Sequence, residues 1–197
     1  MYLKQKNMKK TITLVIFLSL LAVNLHSMEK WIADKTRTKL EWLGEKVAGQ
    51  HSGTINLHSG WIAWDGDKIT GGEFLIDMAS IQDADKSQKL EGHLKSDDFF
   101  GVEKYPVSKL VITGSTSFAK GTGVVNGNLT IKDITHPVEF KASLQKSDDG
   151  LWYFANIVVD RSKYNVRYGS GSFFDNLGDK IIYDEFKLKV NLLVKKA

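Results

Sequence analysis

The sequence predicts one all-β domain, a sandwich or a barrel. Two patterns predict it: apolar residues at every second position, and turn signals that cut the chain into short runs. Phe74, Ile76 and Met78 alternate with Glu73, Leu75 and Asp77. Val125, Gly127, Leu129 and Ile131 alternate with Val124, Asn126, Asn128 and Thr130. Val138, Phe140, Ala142 and Leu144 do so with Glu139, Lys141 and Ser143, and Phe186, Leu188, Val190 and Leu192 with Lys187, Lys189 and Asn191. Such alternation sends one set of side chains into an apolar interior and the other into water. Between the runs stand His58-Ser59-Gly60, Asp65-Gly66-Asp67, Gly71-Gly72, Gly121-Thr122-Gly123 and Ser147-Asp148-Asp149-Gly150, all turn formers. No repeat, low-complexity stretch or linker marks a second domain.

One connection breaks the alternation. Residues 80–106 are rich in charge and lack β-branched runs. Lys86 to Lys95 fits one or two helical turns, and Ser96-Asp97-Asp98 suits the cap of another. One or two short helices are therefore expected within 82–105. Phe99 and Phe100 arrive together in this polar segment and need cover, which the end or inner wall of the β-structure would supply.

The N-terminus reads as a leader. Lys4, Lys6, Lys9 and Lys10 precede a run from Ile12 to Val23 that is almost wholly apolar, and Ser27 follows. A basic segment, an apolar stretch of roughly 7–15 residues and a small residue describe a secretory signal peptide. The run falls short of the roughly 20 residues that span a bilayer. Residues 1–27 are expected to be cleaved, leaving 28–197 with no membrane span. Cleavage removes four lysines and no acid, so 27 basic and 23 acidic residues become 23 of each. A neutral domain without a basic stripe is not a nucleic-acid binder. With no cysteine in the chain, stability after export rests on a core rather than on disulfides.

Catalytic chemistry is not visible. There is no phosphate-binding glycine loop, no nucleophile elbow and no metalloprotease motif. His51, His58, His93 and His136 lack metal-ligand spacing, so no metal and no cofactor are expected. Asp83, Asp85, Asp97 and Asp98 cluster near the helical segment, where capping explains them better than acid–base catalysis. The reading is a binding protein and not an enzyme, with no catalytic residue assigned. Aromatic residues make up 11% of the chain. A barrel of about eight strands is either filled by such side chains or encloses one apolar ligand, and periodicity does not separate the two.

Several stretches go further. They are residues 46–54 (KVAGQHSGT), 71–81 (GGEFLIDMASI), 90–100 (LEGHLKSDDFF), 102–106 (VEKYP), 125–135 (VNGNLTIKDIT), 159–162 (VDRS) and 168–174 (YGSGSFF). In this order, and spread over residues 30–194, they resemble the YceI-like family of exported lipid-binding proteins. Asp133 stands where that family often has glycine, and Leu110 where an aromatic is common. The resemblance implies a single antiparallel lipocalin-like β-barrel of about eight strands over 28–197, periplasmic or extracellular. It implies a long-chain isoprenoid ligand, of polyprenyl or prenyl-quinone type, held for carriage, storage or stress protection. The expected apolar lining is Trp42, Phe74, Ile76, Leu110, Ile112, Leu129, Ile131, Phe140, Phe186 and Leu188, with Phe99 and Phe100 closing one end. Arg161 and Arg167, at the other end, are the head-group candidates, although Arg161 pairing with Asp160 is favoured over that role. A homodimer is compatible with this reading. The competing expectation is a fully packed barrel that serves the cell envelope without a ligand.

Overall fold

The computed structural model describes residues 28–197, so the leader segment lies outside the described residues. Nine strands form: β1 Glu29–Ala33, β2 Lys39–Lys46, β3 Gly49–Trp64, β4 Ile69–Asp83, β5 Val107–Ser115, β6 Thr122–Ile131, β7 Ile134–Ser147, β8 Gly150–Asp160 and β9 Ile182–Lys196. All pairings are antiparallel, and the sheet closes on itself through β3–β4 and β1–β9. Nine strands fill eight positions, because β1 and β2 share one. Strand β2 pairs with residues 49–55 of β3 and 182–191 of β9, and β1 continues that position along 61–64 and 194–196. Asp34 makes the corner between them, its carboxylate accepting from Thr36 N and Oγ1 at 3.1 and 2.6 Å. Three irregularities in the β3–β4 register supply the added twist by which a flat sheet curls shut.

The period-two pattern becomes inside and outside, on the strands the sequence marked and on β8 as well. On β8, Leu151, Tyr153, Ala155, Ile157 and Val159 are buried while Trp152, Phe154 and Val158 face outward. On the outer face, Lys187 and Lys189 reach Glu45 and Glu41 at 2.8 and 3.0 Å across β2 and β9. Lys132 and Asp133 form the two-residue β6–β7 turn with φ of 50° and 59°. Asp tolerates this left-handed region, so the departure from glycine at 133 keeps the hairpin.

The connection after β4 holds one helix, α1 Gln88–Lys95, capped by Ser87, whose Oγ accepts from Leu90 N at 3.3 Å. Ser96 ends this helix rather than opening a second one, and turns follow it. Two 3₁₀ turns, Arg161–Tyr164 and Gly178–Lys180, occupy the β8–β9 connection instead.

The two ends of the barrel differ. One end carries α1, the β6–β7 turn and the long β8–β9 connection. The other carries the short β3–β4, β5–β6 and β7–β8 turns, with the chain's last residue bonded to the first strand through Ala197 N to Lys30 O at 3.0 Å. There Trp64, Phe118 and Tyr153, only 3, 3 and 4% exposed, fill the bore with tilted and edge-on contacts at 5.4–6.2 Å between centroids.

That end is also held by carboxylates. Lys196 hydrogen-bonds Glu29 at 2.6 Å, Lys195 lies 2.8 Å from Asp34, and Arg37 bonds Asp149 at 3.1 Å. Each partner's hydrogen bond holds its carboxylate below the usual range, most strongly at Asp34. A folded pKa below the unfolded one gives stability that is present above the unfolded value, near 4, and is lost as pH falls through the folded value. Acidification from about pH 5 to pH 2 is therefore expected to fray the β1–β9 seam first. Hydrogen exchange would show β1 amides losing protection before those of β6 and β7, and Asp34→Asn would flatten that pH dependence; uniform loss across the barrel would contradict the assignment.

Candidate functional site

Above the aromatic plug the barrel is hollow. An inner chamber of about 110 Å³ lies next to the plug, and an outer one of about 170 Å³ opens toward the helix-bearing end. Ile76, Leu129, Val159 and Leu188 line both chambers and form a collar between them. For scale, a dry apolar cavity of about 150 Å³ takes up benzene. A more open groove bordered by Lys141, Phe154, Asn156, Lys189 and Asn191 mixes polar and apolar groups and is less enclosed than the chambers.

All twelve residues named for the lining sit on this inner wall. Phe74, Leu110, Ile112 and Phe140 line the inner chamber; Trp42, Phe99, Phe100, Ile131 and Phe186 line the outer; Ile76, Leu129 and Leu188 belong to the collar. Ile76, Leu110, Leu129, Phe140, Phe186 and Leu188 point inward yet stay only partly buried. Interlocked side chains would bury such residues fully. The barrel is packed at one end and holds two apolar chambers along the rest.

Two inward glycines help keep it open. Gly53 pairs directly with Trp42, and Gly60 with Phe74. A Cβ at Gly53 would overlap the Gln82 carbonyl and come 2.6 Å from the Trp42 ring, and one at Gly60 would overlap the Phe74 ring. Each ring therefore lies back over its glycine instead of crossing the bore. Trp42 is pinned there by its Nε1, which donates to the carbonyls of Thr54 and Gln82, both at 3.2 Å.

Phe99 and Phe100 lie over the outer chamber at the helix-bearing end, which serves as its mouth. The turn that presents them is tied to α1: Phe99 N donates to Ser96 O at 3.0 Å and Phe100 N to Leu94 O at 3.1 Å. Lys132 Nζ donates to Phe99 O at 2.9 Å, fixing the cover to the β6–β7 turn. Phe100 packs on Phe186 at 6.4 Å.

The arginine expectation needs correction on two counts. Arg161 and Arg167 stand at the same end as Phe99, not the opposite one. Strands β4 and β8 are separated by an even number of reversals, so they run in parallel and deliver their C-terminal ends to one side. Arg161 lies over the Phe99 ring at 5.4 Å. It is also already engaged. Its side chain, in a residue 2% exposed, donates to the carbonyls of Tyr183, Val166 and Ile182 at 3.1, 2.7 and 2.9 Å. Its ionic partner is Asp184 at 3.6 Å, not Asp160, which instead accepts from Ser162 N at 3.0 Å. Burial draws the guanidinium below its usual pKa, and Asp184 and Asp160 oppose that shift. Arg167 is exposed, bonds Asn165 and covers Phe173 at 4.8 Å, outside both chambers.

Polar groups near the outer chamber are few: Glu45, Lys46, His51, Ser108, Arg161 and the flank of Tyr183. His51 Nδ1 lies 4.0 Å from the buried Asp83, whose other oxygen accepts from Ser87 N at 3.1 Å and holds the start of α1. Asp85, Asp97 and Asp98 are exposed. Among the described residues no group of three or more His, Cys, Asp or Glu side chains is placed to hold a metal ion.

Residues the sequence reading passed over include Leu40, Ile55, Leu57 and Ile62 on β2 and β3, and a run on β8. Tyr153, Ala155, Ile157 and Val159 line the hollow, but outward Trp152, Phe154 and Val158 are apolar as well and mask the alternation. Trp152 and Phe154 stack at 6.1 Å on the outer face, with Arg37 over Trp152.

The YceI-like domain pattern matches residues 31–194, nearly every described residue. The chain belongs to the YceI-like family. Among relatives of this family, a UPF0312 protein of Pseudomonas putida strain W619 is 31% identical over 100 residues, which cover 51% of this chain and 52% of that one. A UPF0312 protein of Shewanella denitrificans is 28% identical over the same shares. The matched region spans about half the length of these curated relatives. The barrel is similar to Burkholderia cenocepacia BcnA, with a TM-score of 0.69 and 21% identity over 83% of this chain and 99% of BcnA. It is also similar to a polyisoprenoid-binding domain of Saccharophagus degradans, with a TM-score of 0.64 and 12% identity over 86% of this chain and 99% of that domain. At these identities the structural likeness speaks for a shared YceI-like fold.

Arg161 supplies a test of the mouth. Arg161→Lys keeps the charge but cannot reach three carbonyls at once, and is expected to cost about 2–4 kcal/mol in urea unfolding. An unchanged midpoint would show that the β8–β9 connection is held by other contacts.

Proposed function

We propose that this protein is an exported carrier or store for a long-chain isoprenoid lipid, of polyprenyl or prenyl-quinone type, held inside the barrel. The observation that carries the reading is the pair of adjoining apolar chambers, which share the collar residues, behind a hydrophobic mouth. Burying an apolar chain gains roughly 25 cal/mol per Å², or about 0.8 kcal/mol per CH₂. Ordering the chain and desolvating its head group offset much of that gain. The terminal units of the tail occupy the chambers, and the rest leaves between Leu90, Phe100 and Tyr183.

Membership of the YceI-like family supports lipid binding, as does likeness to a domain described as polyisoprenoid-binding. Release to the periplasm or outside the cell follows from the basic and apolar leader at 1–27. No helix among the described residues is long and apolar enough to cross a membrane. The head group meets the rim at Lys46 and His51, since the donors of Arg161 are engaged within the protein. The likeness to a domain described as polyisoprenoid-binding supports binding rather than turnover as the role.

Mass spectrometry of lipid extracted from protein expressed with its leader is expected to find about one isoprenoid per chain. A clean extract from a folded sample would reject the reading. Leu129→Phe, which narrows the collar, is expected to lower lipid content several-fold. Filling a hollow leaves the stability of the lipid-free protein unchanged or higher by up to about 2 kcal/mol. Full lipid content with a lowered thermal midpoint would mean that the collar is packed core.

A further inference from the structure

The blind end of the barrel is built unlike the mouth. We propose that Tyr153, backed by Phe118 and Trp64, is a stop that sets how many isoprene units enter the barrel. The inference rests on the lipid reading above and adds a specificity-determining element to it.

Tyr153 is the part of the plug that faces the inner chamber; Phe118 and Trp64 stand behind it. Phe118 reaches this place from the loop between β5 and β6, not from a strand. The loop is fastened to the β3–β4 turn, with Phe118 N donating to Asp67 O at 2.7 Å and Ser117 Oγ bonding the Asp67 carboxylate. It is also closed on itself through Gly121 N to Phe118 O at 2.8 Å. The Phe118 ring then fills the space over Gly123, where a Cβ would come within 2.9 Å of it.

The stop is built of rings packed on one another. The Phe118 and Tyr153 rings meet at 5.4 Å and 82°, and the Trp64 and Tyr153 rings at 6.2 Å and 71°. The Tyr153 hydroxyl is buried with no hydrogen-bond partner among the described residues, and burial alone pushes its pKa upward. A tail advancing from the mouth through the collar therefore ends against the Tyr153 ring, in a chamber whose lining surface is apolar. The mouth imposes no such limit, because a longer tail protrudes past Phe100. Chain length is read from the blind end.

The test uses lipid-free protein and the prenyl alcohols geraniol, farnesol, geranylgeraniol and solanesol, with binding followed by quenching of tryptophan fluorescence. In the wild type, affinity rises with each added isoprene unit until the tail meets the stop, and then levels off. Removing the Phe118 ring lets Tyr153 give way, so in Phe118→Ala the levelling moves to a longer alcohol, with a gain of about tenfold at the length where the wild type is flat. Phe118→Leu, which keeps more of the packing, is expected to shift it the same way by less, and thermal unfolding checks that each variant is folded. Phe100→Ala at the mouth is expected to change affinity for all lengths alike. A break at the same length in wild type and both Phe118 variants would overturn the stop, as would a break that moves in Phe100→Ala. Failure of the wild type to bind any of the alcohols would overturn the lipid reading and the stop with it.

Discussion

Closure of the sheet is the constraint from which the other features descend. Strand β3 runs for 16 residues and offers one edge first to β2 and then to β1, while its other edge takes β4. Were β1 and β2 a single strand, the corner at Asp34 would be unnecessary; were β1 absent, β3 and β9 would keep unpaired edges beside the plug. An eight-position ring fixes a bore that side chains just fill or that one slender ligand shares. In this protein both outcomes occur in one bore, filled at the aromatic end and hollow from Ala155 to the mouth.

What keeps part of the bore empty is the placement of the largest lining residues. Trp42 and Phe74 would cross it from an ordinary strand position. Opposite each stands a glycine, so the ring folds back against the wall and the adjacent backbone takes its area. The aromatic content read from the sequence thus serves two opposite purposes. Some rings pave the tunnel, and others, arriving from Phe118's loop and the end of β3, block it.

Much of this was legible from residue order alone. The alternation on β4, β6, β7 and β9 named the inner face, and the twelve lining residues all lie on it. The pair Phe99-Phe100 was out of place in a polar segment, and that incongruity pointed to the mouth. Three things were hidden. Strand β8 escaped because its outward side chains are apolar too. The plug escaped because Trp64, Phe118 and Tyr153 come from separate places in the sequence and meet only after closure. The arginines were assigned to the wrong end because end assignment depends on strand direction, which residue type does not carry. Arg161 reads locally as a partner for the adjacent Asp160, whereas its three carbonyl partners lie 5 to 22 positions away.

Both chain ends of the described domain meet at the plugged side, where Ala197 bonds back to Lys30. Whatever is joined there, whether a tether, a surface or a fused domain, hangs from the base of the vessel. The opening then faces away from its support, so immobilisation through either terminus leaves the entrance free for delivery and unloading.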